Sequence, residues 1–282
     1  MGISLAKRFQ SEIISADSRQ FYKEMHIGTA KPTTKEMCGI THHFVDCISV
    51  NEKYTAWDFQ KEVHELLNKY YKDNSIVFLV GGAGLFIDAI CKGLDEFPEL
   101  KEGIREELNQ RLKKGEFLNM LKQLETLDPV YYKTCDKNNP RRVIRALEVC
   151  LSSGKPYSDF LIKKQEDLNF KVTKIGLKLD RGKLVEKINN RVDTMIKKGL
   201  LNEVKTLEKV KDLPSLNTVG YKELFDFLDG NCNMDKAVEQ IKINTRRYSK
   251  RQMTWFRKDK SINWFDPDDI GEMISFVSRV VN

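Results

Sequence analysis

The sequence contains no apolar run approaching the roughly 20 residues that a bilayer-spanning helix requires. It does not open on the charged, apolar and small-residue succession of a secretory signal either. Cysteine is sparse, and Cys38, Cys47, Cys91, Cys135, Cys150 and Cys232 stand apart without C-x-x-C or histidine-paired spacing. That scatter points to neither a zinc site nor a disulfide framework, and a reducing cytoplasm suits it best. Histidine is sparser still. His42 and His43, with Asp46, raise the thought of a metal site, but adjacent strand residues point to opposite faces and His26 and His64 lie elsewhere. A structural role is the better reading. Repeats and low-complexity tracts are missing too, which argues against a solenoid.

What is present can bury a sizeable core: 282 residues with 40% apolar content predict two domains rather than one. The net charge is +7, and between Ile241 and Lys260 there are eight basic residues and one acid, so the remaining chain holds 40 charges of each sign. The whole surplus therefore sits in one segment, with Tyr248, Trp255 and Phe256 interleaved. Such a segment suits a polyanion such as RNA or DNA. The competing reading is a solvated helix face with its aromatics turned to the core.

The stretch from Ile13 to Tyr22, continuing to Ile27-Gly28-Thr29-Ala30-Lys31-Pro32, carries the densest set of candidate groups. Ile13 and Ile14 stop abruptly at small polar residues and an acid, the pattern of a buried strand delivering Asp17 to a sheet edge. In open α/β sheets the carboxyl edge is where ligands bind. Ser18, Arg19 and Gln20 then add a hydroxyl, a guanidinium and an amide. Equally, Asp17 and Ser18 could cap a helix beginning near Arg19.

Around this stretch the pattern alternates between strands and helices. Met1 to Phe9 reads as the later part of a helix, Thr33 and Thr34 start a short helix, and Thr55 followed by Asp58 starts a longer one reaching Tyr71. Ser75 to Val80 reads as a fully buried strand running into Gly81-Gly82-Ala83-Gly84 and a helix. Strand, glycine turn and helix bring backbone N–H groups against anionic ligands, although such glycines can serve tight packing alone. No Gly-Lys-Ser/Thr follows, so this turn is not a P-loop. From Ile104 to Phe170 the spacing is helical, broken at Asp128-Pro129 and Asn139-Pro140, with Arg141, Arg142 and Arg145 on one helix start. A strand is expected from Lys174 to Leu179, then helices over 181–198, 200–209 and 219–228, the basic helix, a strand over 262–265 and a terminal helix to Val281.

Seven segments in order, IISADSRQFY, IGTAKP, HHFVD, LVGGAGLF, NPRRVIRALE, TVGYKEL and TRRYSKRQMTWFR, resemble the bacterial tRNA dimethylallyltransferase family over almost the entire chain. The resemblance implies an α/β fold: a P-loop-NTPase-like parallel-sheet core, interrupted by an all-helical domain. The expected domains are residues 1–103, the tRNA-contacting insertion 104–171, and 172–282. It also implies transfer of a dimethylallyl group from dimethylallyl diphosphate to N6 of the adenosine 3′ to the anticodon, position 37, in tRNAs reading codons that begin with U. The implied partners are the tRNA anticodon stem-loop, dimethylallyl diphosphate and Mg2+, with no membrane and a monomeric chain.

Carried over by position, Asp17 resembles the family's general base, and Asp17, Ser18, Arg19 and Gln20 resemble its contact with the extruded adenosine. Arg105 matches a tRNA-contacting position, as do Arg141, Arg142, Val143, Ile144 and Arg145. The segment 240–247, with Arg246 and Arg247, matches another such contact, and Arg251, Trp255 and Arg257 continue that motif. Ala83 stands where many members place a hydroxyl that contacts tRNA. Asn217 stands where some carry a diphosphate-binding arginine. Family members open with a strand and a Gly-Lys-Thr or Gly-Lys-Ser loop that cradles diphosphate; here that strand and P-loop are expected to be missing, with Met1 a misassigned or truncated start. The alternative is a catalytically defective, tRNA-binding relative. A third reading, prenylation of free adenine nucleotides, is disfavoured because a mononucleotide needs no such basic surface.

Overall fold

The protein's structure, a computed structural model, describes residues 1–161 and 168–281. It has two compact units, Met1–Cys91 with Leu168–Asn282, and Lys92–Asp167. The core unit begins with α1 (Gly2–Arg8), β1 (Ile13–Ala16), α2 (Thr34–Met37), β2 (His42–His43), α3 (Ala56–Tyr70), β3 (Phe78–Gly81) and α4 (Gly84–Lys92). The helical unit holds α5 (Ile104–Lys113), α6 (Phe117–Leu127), α7 (Pro129–Thr134) and α8 (Pro140–Ser153). The core then resumes with β4 (Lys174–Leu177), α9 (Arg181–Lys197), α10 (Leu200–Thr206), α11 (Tyr221–Leu228), α12 (Met234–Phe256), β5 (Ile262–Phe265) and α13 (Ile270–Val281). None of the described helices is long and apolar enough to cross a membrane.

Local chemistry accounts for many of these boundaries. Thr33 with Glu36, and Thr55 with Asp58, form reciprocal capping boxes at the starts of α2 and α3, each satisfying two otherwise orphaned donors. In the helical unit Asp128, fully buried, accepts the Tyr131 N–H at 2.8 Å to cap α7 and the Ser158 N–H at 2.7 Å. Pro129 and Pro140 occupy first-turn positions, where a missing N–H costs nothing. Gly154 ends α8 in the left-handed region at φ 71°. The helical unit opens at Lys92, ahead of the residue 104 that periodicity suggested. The cause is a non-helical approach segment whose Phe97 stacks on Tyr157 with centroids 5.1 Å apart. Residues 162–167 of the expected insertion lie outside the described residues.

All described strands pair in parallel, but in two sheets, one ordered β2-β1-β3 and the other β4-β5. The parallel pairing agrees with the expected parallel-sheet core. An apolar cluster of Leu5, Met273 and Val277, with Phe78, Ile175 and Phe265 packed against it, lies against strands of both sheets. The central strand β1 is buried throughout, as its apolar run suggested. β3 is not the fully buried strand expected from 75–80. It is an edge strand of its sheet, and Val80 remains 39% exposed. The principal core lies behind β1, where Phe21, Phe59 and Phe86 form an aromatic cluster with centroid separations of 5.3 to 5.5 Å. Burying each such ring contributes about 1.5–3 kcal/mol.

Candidate active site

Asp17 immediately follows the central strand, at its carboxyl end. It does not start a helix: its Oδ1 accepts the Arg19 N–H at 3.0 Å and its carbonyl accepts the Gln20 N–H at 3.0 Å, closing a tight turn. The turn aims each following side chain separately. Arg19 Nη1 donates to the Ser215 carbonyl at 2.8 Å, and Ser215 Oγ in turn donates to the Val50 carbonyl at 2.8 Å. Gln20 Nε2 donates to the Thr29 carbonyl at 3.3 Å, and its Oε1 accepts from Ser15 Oγ at 3.5 Å. Asp17, Ser18, Arg19 and Gln20 are all partly exposed.

The loop from Ile27 to Pro32 is braced from beneath. Glu203 accepts the N–H groups of His26, Ile27 and Gly28 at 3.0, 2.7 and 3.1 Å, and the Tyr221 hydroxyl at 2.5 Å. Burial and then this bond to Glu203 push the Tyr221 phenol far above its ordinary pKa, so it stays a donor. Lys31 is buried and donates to the Tyr22 carbonyl at 2.6 Å and to Asp46. No linear motif flagged Glu203 or Ser215, and Tyr221, although it lies within TVGYKEL, was given no role there, because each meets its target from a distant part of the chain.

On the other flank the glycine turn presses on β1. The Ala83 N–H donates to the Ala16 carbonyl at 3.2 Å, one residue before Asp17. A Cβ on Gly81 would lie 2.3 Å from that same carbonyl oxygen, so the glycine serves close backbone approach. The carboxyl half of α12 meets this turn: Gln252 Nε2 donates to the Gly82 carbonyl and Trp255 Nε1 to Asp88 Oδ2, both at 2.9 Å. The Tyr248 phenol is raised above its ordinary pKa by burial first and by the Asp17 charge second, against the opposing charges of Arg19 and Arg251. Asp17, Arg19, Tyr248 and Arg251 thus share one electrostatic neighbourhood. Tyr248, Gln252 and Trp255 recur at helical spacing, a signal that could have marked this face in advance.

The remaining predicted residues divide. Arg251 and Arg247 are exposed, whereas Arg246 is engaged by Asn189 at 3.0 Å and Glu239 at 3.2 Å. Asn217 is exposed, two residues after Ser215. In the helical unit Arg141 and Arg142 are exposed. Arg105 forms a two-bond pair with buried Glu148 at 2.8 and 2.7 Å, and Arg145 adds a third bond at 3.1 Å. Val143 and Ile144 are both buried in the apolar cluster with Leu108 and Leu124, so their side chains belong to the core of the helical unit. Among the described residues no group of three His, Cys, Asp or Glu side chains could hold a metal ion.

A parallel α/β core that presents a carboxylate beside a glycine turn and a basic helix defines an enzyme class whose anionic ligands bind at the carboxyl edge of the sheet. The IPP transferase family model matches residues 20–259. The tRNA dimethylallyltransferase of Christiangramia forsetii is 49% identical over 283 residues, covering 100% of this chain and 94% of the relative. The tRNA dimethylallyltransferase 1 of Bacteroides fragilis is 42% identical over 281 residues, covering 100% and 93%. The crystal structure of the full-length tRNA isopentenylpyrophosphate transferase from Bacillus halodurans superposes with a TM-score of 0.73 at 35% identity, covering 99% of this chain and 91% of that one. The chain belongs to the tRNA dimethylallyltransferase family. The comparisons as they stand do not support the expectation of a lost strand and P-loop.

Proposed function

We propose that this enzyme transfers the dimethylallyl group of dimethylallyl diphosphate to N6 of adenosine 37 in tRNAs reading codons that begin with U, with Asp17 as general base. The adenine amine is a weak nucleophile because its lone pair is delocalised into the ring. As N6 bonds to the allylic carbon, the carbon–oxygen bond to diphosphate breaks, its electron pair leaves with the diphosphate, and the N6 proton passes to the Asp17 carboxylate. The observation that carries this reading is the position of Asp17 at the carboxyl end of the central strand, in a turn closed by its own Oδ1. Reaching N6 requires the base to leave its stack. Ser18 and Gln20 would then meet its edge, Arg19 would orient the turn, and Ala83 would offer its backbone. Asn217 would face the diphosphate.

Exposed Arg141 and Arg142 of the helical unit, and Arg247 and Arg251 of α12, suit tRNA phosphates. Arg105, Arg145 and Arg246 would contribute through their remaining donors. The core's parallel sheet and ligand edge fit a P-loop-NTPase-like fold. Magnesium takes one or two carboxylates plus substrate phosphates, so the residues here suit an ion carried on the diphosphate rather than an all-protein cage. Bound there, it would offset charge on the leaving group. We read the chain as a monomer working in a reducing cytoplasm, the compartment that suits scattered single cysteines.

Asp17→Ala should lower kcat by about 10² to 10⁴, the usual contribution of a positioned base. Binding of an anticodon stem-loop should stay within about threefold, less than 1 kcal/mol. Retained turnover, measured as label moved from dimethylallyl diphosphate to RNA, would remove Asp17 from the reaction.

A further inference from the structure

The carboxyl half of α12 carries one half-exposed aromatic side chain, Tyr248, on the face that meets the glycine turn. Tyr248, Gln252 and Trp255 are spaced four and three residues apart and therefore share a helix face. Gln252 is tied to the Gly82 carbonyl, and Trp255 is tied to Asp88 and lies so close to Gly84 that a Cβ there would sit 2.5 Å from its Nε1. This face abuts the glycine turn, and the turn is bonded to β1 one residue before Asp17. Tyr248 lies one helical turn from Gln252 on that face, within the electrostatic reach of Asp17 and Arg19. The residue is nevertheless 47% exposed, and the Arg251 guanidinium stands 5.9 Å from its ring centroid.

We propose that Tyr248 is a substrate-binding residue whose ring is the stacking platform for the acceptor adenine while N6 faces Asp17. A base drawn out of an anticodon loop loses its neighbours on both faces, and an aromatic ring restores one of them. The part of Tyr248 left in water is the surface such a base would cover. Arg251, at the same ring, would lend its charge to the adjoining phosphate, which couples platform and backbone contact on one helical turn. The proposal rests on the reading of Asp17 as the base of an RNA-modifying site.

The test uses the full chain and two anticodon stem-loop RNAs, one with adenine and one abasic at the acceptor position. Tyr248→Ala should raise the KM for the adenine RNA about ten- to hundredfold, the span of one base–aromatic stack. The KM for dimethylallyl diphosphate should stay unchanged, and Tyr248→Phe should stay within about twofold of the parent in both. In direct binding, Tyr248→Ala should weaken the adenine RNA but leave the abasic RNA as in the parent. Tyr248→Leu, which keeps apolar bulk without a π face, should follow the alanine variant and guards against a folding defect. A Tyr248→Ala enzyme that matches the parent on the adenine RNA overturns the platform, as does equal weakening of both RNAs. A Tyr248→Phe variant as damaged as Tyr248→Ala overturns it in favour of the hydroxyl. The binding cycle needs no turnover, so a parent chain that transfers nothing would defeat the proposed activity while still deciding the role of Tyr248.

Discussion

Two helices carry most of the arginines discussed above, α8 and α12, and they are held in opposite ways. α8 spans 14 residues and buries a continuous stripe that includes Val143, Ile144, Ala146, Leu147 and Val149. α12 spans 23 residues and buries Ala237 and Ile241 in its amino half. Its carboxyl half is instead held by two polar bonds, from Gln252 and Trp255, to the turn beside β1. An apolar stripe fixes a helix whatever its polar face does. A helix held by a few directional bonds transmits its position to the atoms at the other end of them. The carboxyl half of α12 is thus tied through the glycine turn to β1, one residue before Asp17, whereas α8 is positioned within its own unit by its own core.

The largest effect should come from disturbing what α12 leans on. Gly81→Ala puts a methyl group where the Ala16 carbonyl already lies and must push β1 and the turn apart. A displacement near 1 Å at Asp17 should lower kcat about 10²-fold, with anticodon stem-loop affinity kept. An enzyme with kcat within threefold of the parent would show that the turn does not set the position of Asp17.

The next effect belongs to the helical unit. Glu148→Gln removes the charge that gathers Arg105 and Arg145, although both arginines are partly exposed and water would screen much of what they lose. A loss of about 2 kcal/mol in chemical denaturation is expected, the scale of hydrogen bonds to a charged group, with kcat unaltered. Burial on its own would raise the Glu148 pKa, but the bonds from Arg105 and then Arg145 outweigh it and hold the carboxyl below its ordinary value. Its stabilising contribution is thus whole above the unfolded glutamate pKa of about 4.3 and is lost as pH falls through the lower native value. Acid titration of the parent and Glu148→Gln proteins should converge there; parallel curves would deny the ion triad its role.

The smallest effects should sort the arginines of α12 itself. Arg247→Ala and Arg251→Ala should each reduce the salt dependence of tRNA binding by about one counterion. Arg246→Ala should change the slope by less, since its guanidinium already serves Asn189 and Glu239. Equal slopes for all three variants would mean that those internal bonds yield when RNA arrives.

Features set by neighbours a few residues apart were legible in the sequence. The capping boxes at Thr33 and Thr55, the proline starts at 129 and 140, the buried run of β1 and the basic character of α12 all follow from spacing and side-chain type. So did the arrival of Asp17 at a strand end, because an apolar run that stops at an acid is itself a local pattern. Tertiary structure alone decided which charges are left for a ligand. Arg105 meets Glu148 across 43 positions, and Trp255 meets Asp88 across 167. It also decided that the strands divide between two sheets and that β3 lies at an edge. Helical period and capping are properties of one short segment, whereas strand partners, ion triads and the half-exposed Tyr248 depend on which distant segments the packed core brings together.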